Sequence, residues 1–152
     1  MNRLWKGFLL EQELKTVGII ICLNANKEFL IIRRSDIDKR AGQWTMPGGH
    51  IDDDDSSIES GAIRELEEEA GLSCSLSDLV YLGKPKKEKY YFMTQKWKGD
   101  VNVDKPNPKT KEIEHDDYRW ATIDEIKDLA NTEIPIYLLE KALEMSKNET
   151  DS

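Results

Sequence analysis

Between Arg64 and Glu69 the chain packs four carboxylates and one guanidinium into six consecutive residues, Arg64-Glu65-Leu66-Glu67-Glu68-Glu69. At about 100° per residue, a helix places Glu65, Glu68 and Glu69 on one face and turns Glu67 away from them. Ala62, Ile63, Leu66 and Ala70 fall on the adjoining face and give the helix a side to bury. Three like charges on one stripe repel one another unless a cation lies between them, and hard divalent cations prefer carboxylate oxygen. Gly61 sits on the same stripe about one turn upstream, where a missing side chain is expected to leave room for a ligand. A glutamate-rich run taken alone is most often a solvated helix face, so the residues before it decide between the two readings.

Those residues run Pro47-Gly48-Gly49-His50, then Asp52 to Asp55, then Ser56-Ser57. The whole stretch, 47–72, resembles the Nudix box of the MutT-type hydrolases, G-x5-E-x7-R-E-U-x-E-E-x-G-U with U a bulky aliphatic. Gly49, Arg64, Glu65, Leu66, Glu68, Glu69, Gly71 and Leu72 fill eight of its nine defined positions, and Trp44, Pro47 and Gly48 match the W-x-x-P-G-G approach to it. There are two departures. One residue is inserted between Gly49 and Arg64, and the first glutamate of the pattern is absent. Asp55 stands at its distance from Gly49, whereas counting back from Arg64 reaches Ser56. Asp55 is therefore expected at the edge of the metal site, either as an auxiliary ligand or as a group acting from behind the ligands, the alternative being that the acidic run is only a solvated loop.

The resemblance implies an α/β domain of the Nudix fold, a mixed β-sheet sandwiched between α-helices, that hydrolyses a pyrophosphate bond in a nucleoside diphosphate derivative and releases a nucleoside monophosphate. It implies Glu65, Glu68 and Glu69 as ligands of Mg²⁺ or Mn²⁺, with the backbone carbonyl of Gly49, and Arg64 as the residue that orients the glutamates, Glu68 being its i, i+4 neighbour. Divalent ions would screen the substrate charge that repels an attacking water. The general base is expected in the loop before the last strand, at Glu114, with Glu112 second and His115 a lesser candidate. Arg33, Arg34, Lys39 and Arg40 lead into the box and are candidate phosphate ligands, and His50 is placed to line the site. Tyr90 stands eighteen residues after the box, near where dinucleoside-polyphosphate members of the family carry a tyrosine. The substrate class stays open among (d)NTP, dinucleoside polyphosphate, ADP-ribose and other sugar nucleotides, and FAD. One alternative is removal of pyrophosphate from RNA 5′ ends, because residues 84–98 hold six lysines interleaved with Tyr90, Tyr91 and Trp97. A second is a non-catalytic ligand sensor, which the intact glutamates disfavour.

The elements that must carry these residues follow from periodicity. The continuous apolar run 16–23 predicts a buried strand, the Asn-rich segment after it a turn, and 29–33 a returning strand. The box helix is expected over 57–70, capped by Ser57 or by a Ser56–Glu59 box, with Gly71 closing it. Strands follow at 80–83 and 89–97, a long loop at 99–117, a short strand at 118–121, and a helix opened by Thr122 and Glu125. A last helix runs from Pro135 to Met145. With 152 residues, 38% hydrophobic and 34% charged, residues 1–147 form one domain and 148–152 a disordered tail. A net charge of −8 argues against general nucleic-acid or membrane binding. Cys22 and Cys74 have no metal-ligand spacing and read as reduced thiols, and the first fifteen residues hold too short an apolar run for a signal peptide. A cytoplasmic monomer or homodimer acting on a small nucleotide is the expectation.

Overall fold

The computed structural model describes residues 15–150 apart from 38 and 131. The readings made of residues 1–14 and of 151–152 lie outside the described residues. Two sheets form the centre. β1 (Val17–Cys22) is flanked by β4 (Gly48–His50), antiparallel, and β6 (Lys89–Thr94), parallel, and β5 (Val80–Lys86) closes the edge beside β6. The second sheet holds β3 (Trp44–Thr45), β2 (Phe29–Arg34) and β7 (His115–Ala121), all antiparallel neighbours.

β1 and β2 read as unbroken apolar runs because each is buried on both faces. Ile19, Ile21, Phe29 and Ile31 join one core with Met93, Ile126, Leu138, Leu139 and Ala142. Ile20, Cys22, Leu30 and Ile32 join the other with Ala62, Leu66, Ala70 and Phe92. Helix α1 (Ile58–Ala70) covers the second core, while α2 (Ile123–Lys127) and α3 (Ile136–Thr150) cover the first. The fold is therefore the expected α/β sandwich of mixed β-structure between helices. What the sequence did not disclose is the division into two sheets. Asn24 Oδ1 accepts from the Asn26 and Glu28 amides and forms the turn, but β1 and β2 meet only through the Leu23–Phe29 bridge before they part.

Ser57, not the Ser56–Glu59 pair, caps α1: its hydroxyl accepts from the Ser60 amide, a contact of this kind contributing about 1 kcal/mol. Gly71 ends the helix in the left-handed region, its amide donating to the Glu67 carbonyl. The capping box at Thr122 and Glu125 forms as expected. Several boundaries differ, and β5 runs on to Lys86 while β6 stops at Thr94. β7 begins at His115, with Asp116 and Asp117 both exposed where its register against Arg33 and Arg34 shifts. Gly48 to His50 form a strand on β1 that the periodicity did not predict. α3 continues through Thr150, past the expected end at Met145 and into the segment expected to be disordered.

Gly48 fixes the spacing between β4 and β1. A Cβ on it would lie 2.5 Å from the Gly18 carbonyl oxygen and 2.8 Å from Ile19 Cα, both backbone atoms that cannot rotate aside. Gly48→Ala should therefore destabilise the protein by about 1–3 kcal/mol or more, the usual cost of overpacking. Urea unfolding measures this directly, and an unchanged midpoint would contradict the packing described.

Candidate active site

Helix α1 presents its glutamates toward β4, and the glycines of that strand allow the approach. A Cβ on Gly49 would stand 2.6 Å from Glu65 Cδ, so the Glu65 carboxylate lies directly against the strand. Glu69 Oε2 accepts from the Gly48 amide at 3.1 Å. Glu67 is exposed on the other side of the helix, as its phase requires.

Arg64 organises the cluster. Its Nη1 donates to Glu65 Oε1 and to Glu68 Oε2, both at 3.1 Å. Its Nε and Nη2 donate to the two oxygens of Asp55 at 3.0 and 3.1 Å, a bidentate fork, and Nη2 also reaches the His50 carbonyl. Asp55 is thus engaged behind the arginine that itself holds Glu65 and Glu68, an arrangement that suits the indirect one of its two expected roles. Its second oxygen also accepts from the Asp52 amide at 2.7 Å. The Arg64 guanidinium holds the Asp55 carboxyl below its usual range, outweighing burial. The inserted residue is absorbed in the loop turn, where the Asp55 amide donates to the Asp52 carbonyl. Gly61 makes room for this arrangement and not for a ligand: a Cβ there would meet Asp55 Oδ2 at 2.7 Å and Ile51 Cδ1 at 2.6 Å.

A shallow cleft opens over the glutamates, lined by Glu65, Glu68, Glu69, Lys105, Asn107, Glu114 and His115. Glu114, immediately before β7, enters it, anchored through its carbonyl on the Ser35 amide at 2.8 Å. Glu112 is exposed, and its carbonyl accepts from the Asn107 amide. Glu69, Glu114 and His115 each offer a ligand atom within 4.8 Å of the others. Glu114 thus stands among donors that fit a divalent cation, a grouping that does not include Glu65 and Glu68; the electrostatics of the glutamates favour a cation as well. Burial pushes the Glu65 carboxyl up to about 7, partly countered by Arg64 and reinforced by Glu68. Burial also raises Glu69 well above the carboxylate range, against the pull of the Gly48 amide, with Glu65 and Glu114 adding to the rise. A bound cation would reverse both shifts.

The candidate substrate cations divide. Arg34 and Arg40 line a second cleft, open to solvent, with Gln43, Trp44, Lys89, Tyr91 and Glu133. Arg34 also favours the ionised form of Glu69, although the two clefts share no lining residue. Arg33 does not face it; its Nε pairs with Asp116 Oδ1 at 2.8 Å and its guanidinium sits 5.8 Å from the Trp44 ring centroid. Tyr90 is not in it either. It faces α1 from beyond β1, next to Tyr81 at 6.4 Å between ring centroids, with Lys84 Nζ 5.3 Å from its own ring centroid. Successive strand residues point to opposite faces, so Tyr91 holds the cavity position and Tyr90 is directed away. Tyr91 and Lys89 are the residues that sequence reasoning missed, and the alternation of β6 was the signal.

The chain matches the NUDIX domain family model over residues 13–141. It is 32% identical over 116 residues to the bis(5′-nucleosyl)-tetraphosphatase (asymmetrical) of Rattus norvegicus, covering 72% of this chain and 74% of that protein. It is 46% identical over 57 residues to an RNA pyrophosphohydrolase of Erythrobacter litoralis, but this covers only 37% of the chain and 34% of the relative. Among solved structures, a MutT protein from Methanosarcina mazei superimposes with a TM-score of 0.59 at 23% identity, covering 88% of this chain and 95% of that one. A Caenorhabditis elegans Ap4A hydrolase does so with 0.60 at 19%, covering 88% and 99%.

The raised carboxyls give a sign-definite prediction for the metal-free protein. The folded state holds the Glu65 proton more tightly than the unfolded state, so this contribution to stability is complete below the unfolded value near 4.5 and is lost as pH rises through about 7. The Tm of chelated protein should decline from about pH 5 to about pH 8 more in wild type than in Glu65→Gln, and added Mg²⁺ or Mn²⁺ should raise Tm most at the upper end. Thermal unfolding with chelator or metal checks this; parallel profiles for the two proteins would contradict it. On its sequence match and its fold, the chain belongs to the NUDIX domain family and is a hydrolase of pyrophosphate bonds.

Proposed function

We propose that the protein cleaves a dinucleoside polyphosphate off centre, releasing a nucleoside monophosphate and leaving the longer phosphate chain on the other nucleoside. The observation that carries this is the presence of an acidic cleft and a cation-lined one in the same domain. One is lined by Glu65, Glu68, Glu69 and Glu114, the other by Arg34, Arg40 and Lys89 beside Trp44 and Tyr91. A long polyanion with an aromatic base at its end matches three cations next to two aromatic rings. The similarity to the rat tetraphosphatase over most of both chains supports the same reading.

In this mechanism Glu65, Glu68 and Glu69, with the Gly49 carbonyl, hold Mg²⁺ or Mn²⁺. When bound, the ion supplies the positive charge that screens the pyrophosphate oxygens. Arg64 keeps the glutamates aimed, itself held by Asp55. Arg34, Arg40 and Lys89 hold the phosphates beyond the scissile bond. Glu114 takes the proton of the attacking water as its oxygen bonds to phosphorus and the bridging P–O bond breaks. The remaining phosphate leaves as the anion. Arg33 and Tyr90 take no part.

The RNA reading would use the lysine hairpin. Its lysines do not share one face: Lys89 lines the cation-rich cleft, while Lys84 is engaged with Tyr90 on the side that faces α1, which favours the small nucleotide. No helix among the described residues is long and apolar enough to cross a membrane, and Cys22 and Cys74 are free thiols; both suit a cytoplasmic enzyme.

A panel of diadenosine tetraphosphate, ADP-ribose, FAD, a dNTP and 5′-triphosphorylated RNA, assayed with Mg²⁺ and Mn²⁺ and resolved by chromatography, tests this. The tetraphosphate should give a kcat/KM at least about tenfold above the rest, a difference of about 1.4 kcal/mol in transition-state stabilisation, with mono- and triphosphate products. A higher value for ADP-ribose or RNA would contradict the proposal, and so would two diphosphate products.

A further inference from the structure

The loop over the glutamates carries one residue whose every hydrogen-bonding group is engaged. Asn107 donates its backbone amide to the Glu112 carbonyl and accepts from the Lys111 amide on its own carbonyl, both at 2.8 Å. Its side-chain Oδ1 accepts from the amides of Lys109, at 2.8 Å, and Thr110, at 3.1 Å. Two backbone donors on that oxygen settle which way the carboxamide is turned, because the alternative would set an NH₂ group against two N–H groups. Nδ2 is therefore directed the other way, and it donates to Glu114 Oε1 at 2.7 Å.

The loop is fixed on both sides of this contact. Lys105 Nζ donates to the Glu67 carbonyl at 2.9 Å, and Lys109 Nζ lies 3.4 Å from Asp52 Oδ2. Pro106 and Ile113 form a bridge that closes the base of the loop. Asn107 itself lines the glutamate cavity with Glu114. The turn thus converts local backbone geometry into the orientation of one carboxylate.

We infer that Asn107 is a positioning residue for Glu114, occupying Oε1 as a hydrogen-bond donor so that Oε2 is presented to the attacking water. This rests on the assignment of Glu114 as general base. A carboxylate free to rotate about its last torsion would spend much of its time with neither oxygen in line, and holding it removes that loss before the reaction begins.

Asn107→Asp isolates the role. The aspartate retains an oxygen to accept from Lys109 and Thr110, so the turn is preserved, while its other oxygen faces Glu114 where the donor had been. Asn107→Ala removes both functions and serves as the second variant. Each should lower kcat about 10- to 100-fold, the range of a lost hydrogen bond to a charged group, with KM within about threefold of wild type. The test is a double-mutant cycle with Glu114→Gln, assayed on diadenosine tetraphosphate with Mg²⁺. If Asn107 acts through Glu114, Asn107→Asp should cause no further loss once Glu114 is glutamine. A wild-type kcat for Asn107→Asp beside an impaired Glu114→Gln would overturn the positioning role alone, as would losses that multiply in the double variant. A wild-type kcat for Glu114→Gln would overturn the assignment of the base, and the positioning role with it.

Discussion

Carboxylates crowded onto one helix stripe repel one another, and the fold around α1 is arranged to hold them there. Two unit charges 4 Å apart interact by about 4 kcal/mol at the effective dielectric typical of a protein surface, and Glu65, Glu68 and Glu69 bring three charges together with Glu114 facing them. Arg64 answers part of this charge by donating to Glu65 and Glu68. It would be free to swing away if Asp55 did not grip the other side of its guanidinium. Arg34, which favours the ionised form of Glu69, and Lys105, which lines the same cleft, do not balance the whole set either. The remaining excess appears as burial-raised carboxyls at Glu65 and Glu69, and it is the demand that a divalent cation would meet.

Several features that seem unrelated in the sequence serve this one arrangement. Gly49 lets the Glu65 carboxylate rest on β4, Gly61 admits the Asp55 carboxylate beside the helix, and Gly48 brings β4 against β1. The apolar strands hold these parts at fixed spacing, with α1 on one core and α2 and α3 on the other. The parting of β1 from β2 leaves β2 to pair with β7, and Ser35, just past the end of β2, anchors Glu114 through its carbonyl. The loop 99–114 then spans the site and is tied down at Lys105, Asn107 and Lys109.

The glutamate stripe, its buried side and the exposure of Glu67 were legible because they depend only on helical period. The caps at Gly71 and Thr122 were legible because cap chemistry is local. What could not be read depends on contacts between segments far apart in the chain. Counting from Gly49 placed Asp55 at the edge of the metal site, but its partner, a guanidinium nine residues further on, could not be read from that count. Tyr90 was chosen over Tyr91 by distance along the chain, although one residue in a strand exchanges one face for the other. Arg33 and Arg34 looked equivalent, and strand pairing gave Asp116 to the first and the cavity to the second. Asn107 carried no signal, since its importance comes from a turn that only the folded loop creates.

The central claim is that the three facing glutamates, and not the acidic run as a whole, bind the metal. Titration of Mn²⁺ followed by electron paramagnetic resonance, in wild type, Glu69→Gln and Glu67→Gln, tests it without reference to any substrate. Both substitutions replace one carboxyl by an amide in the same helix turn, so size and position along the helix are matched. Glu69→Gln should weaken Mn²⁺ binding by about tenfold or more, on the scale seen when groups of a metal site are removed, while Glu67→Gln should stay within about twofold of wild type. Equal weakening by the two would contradict the account and reduce the stripe to a diffuse acidic surface.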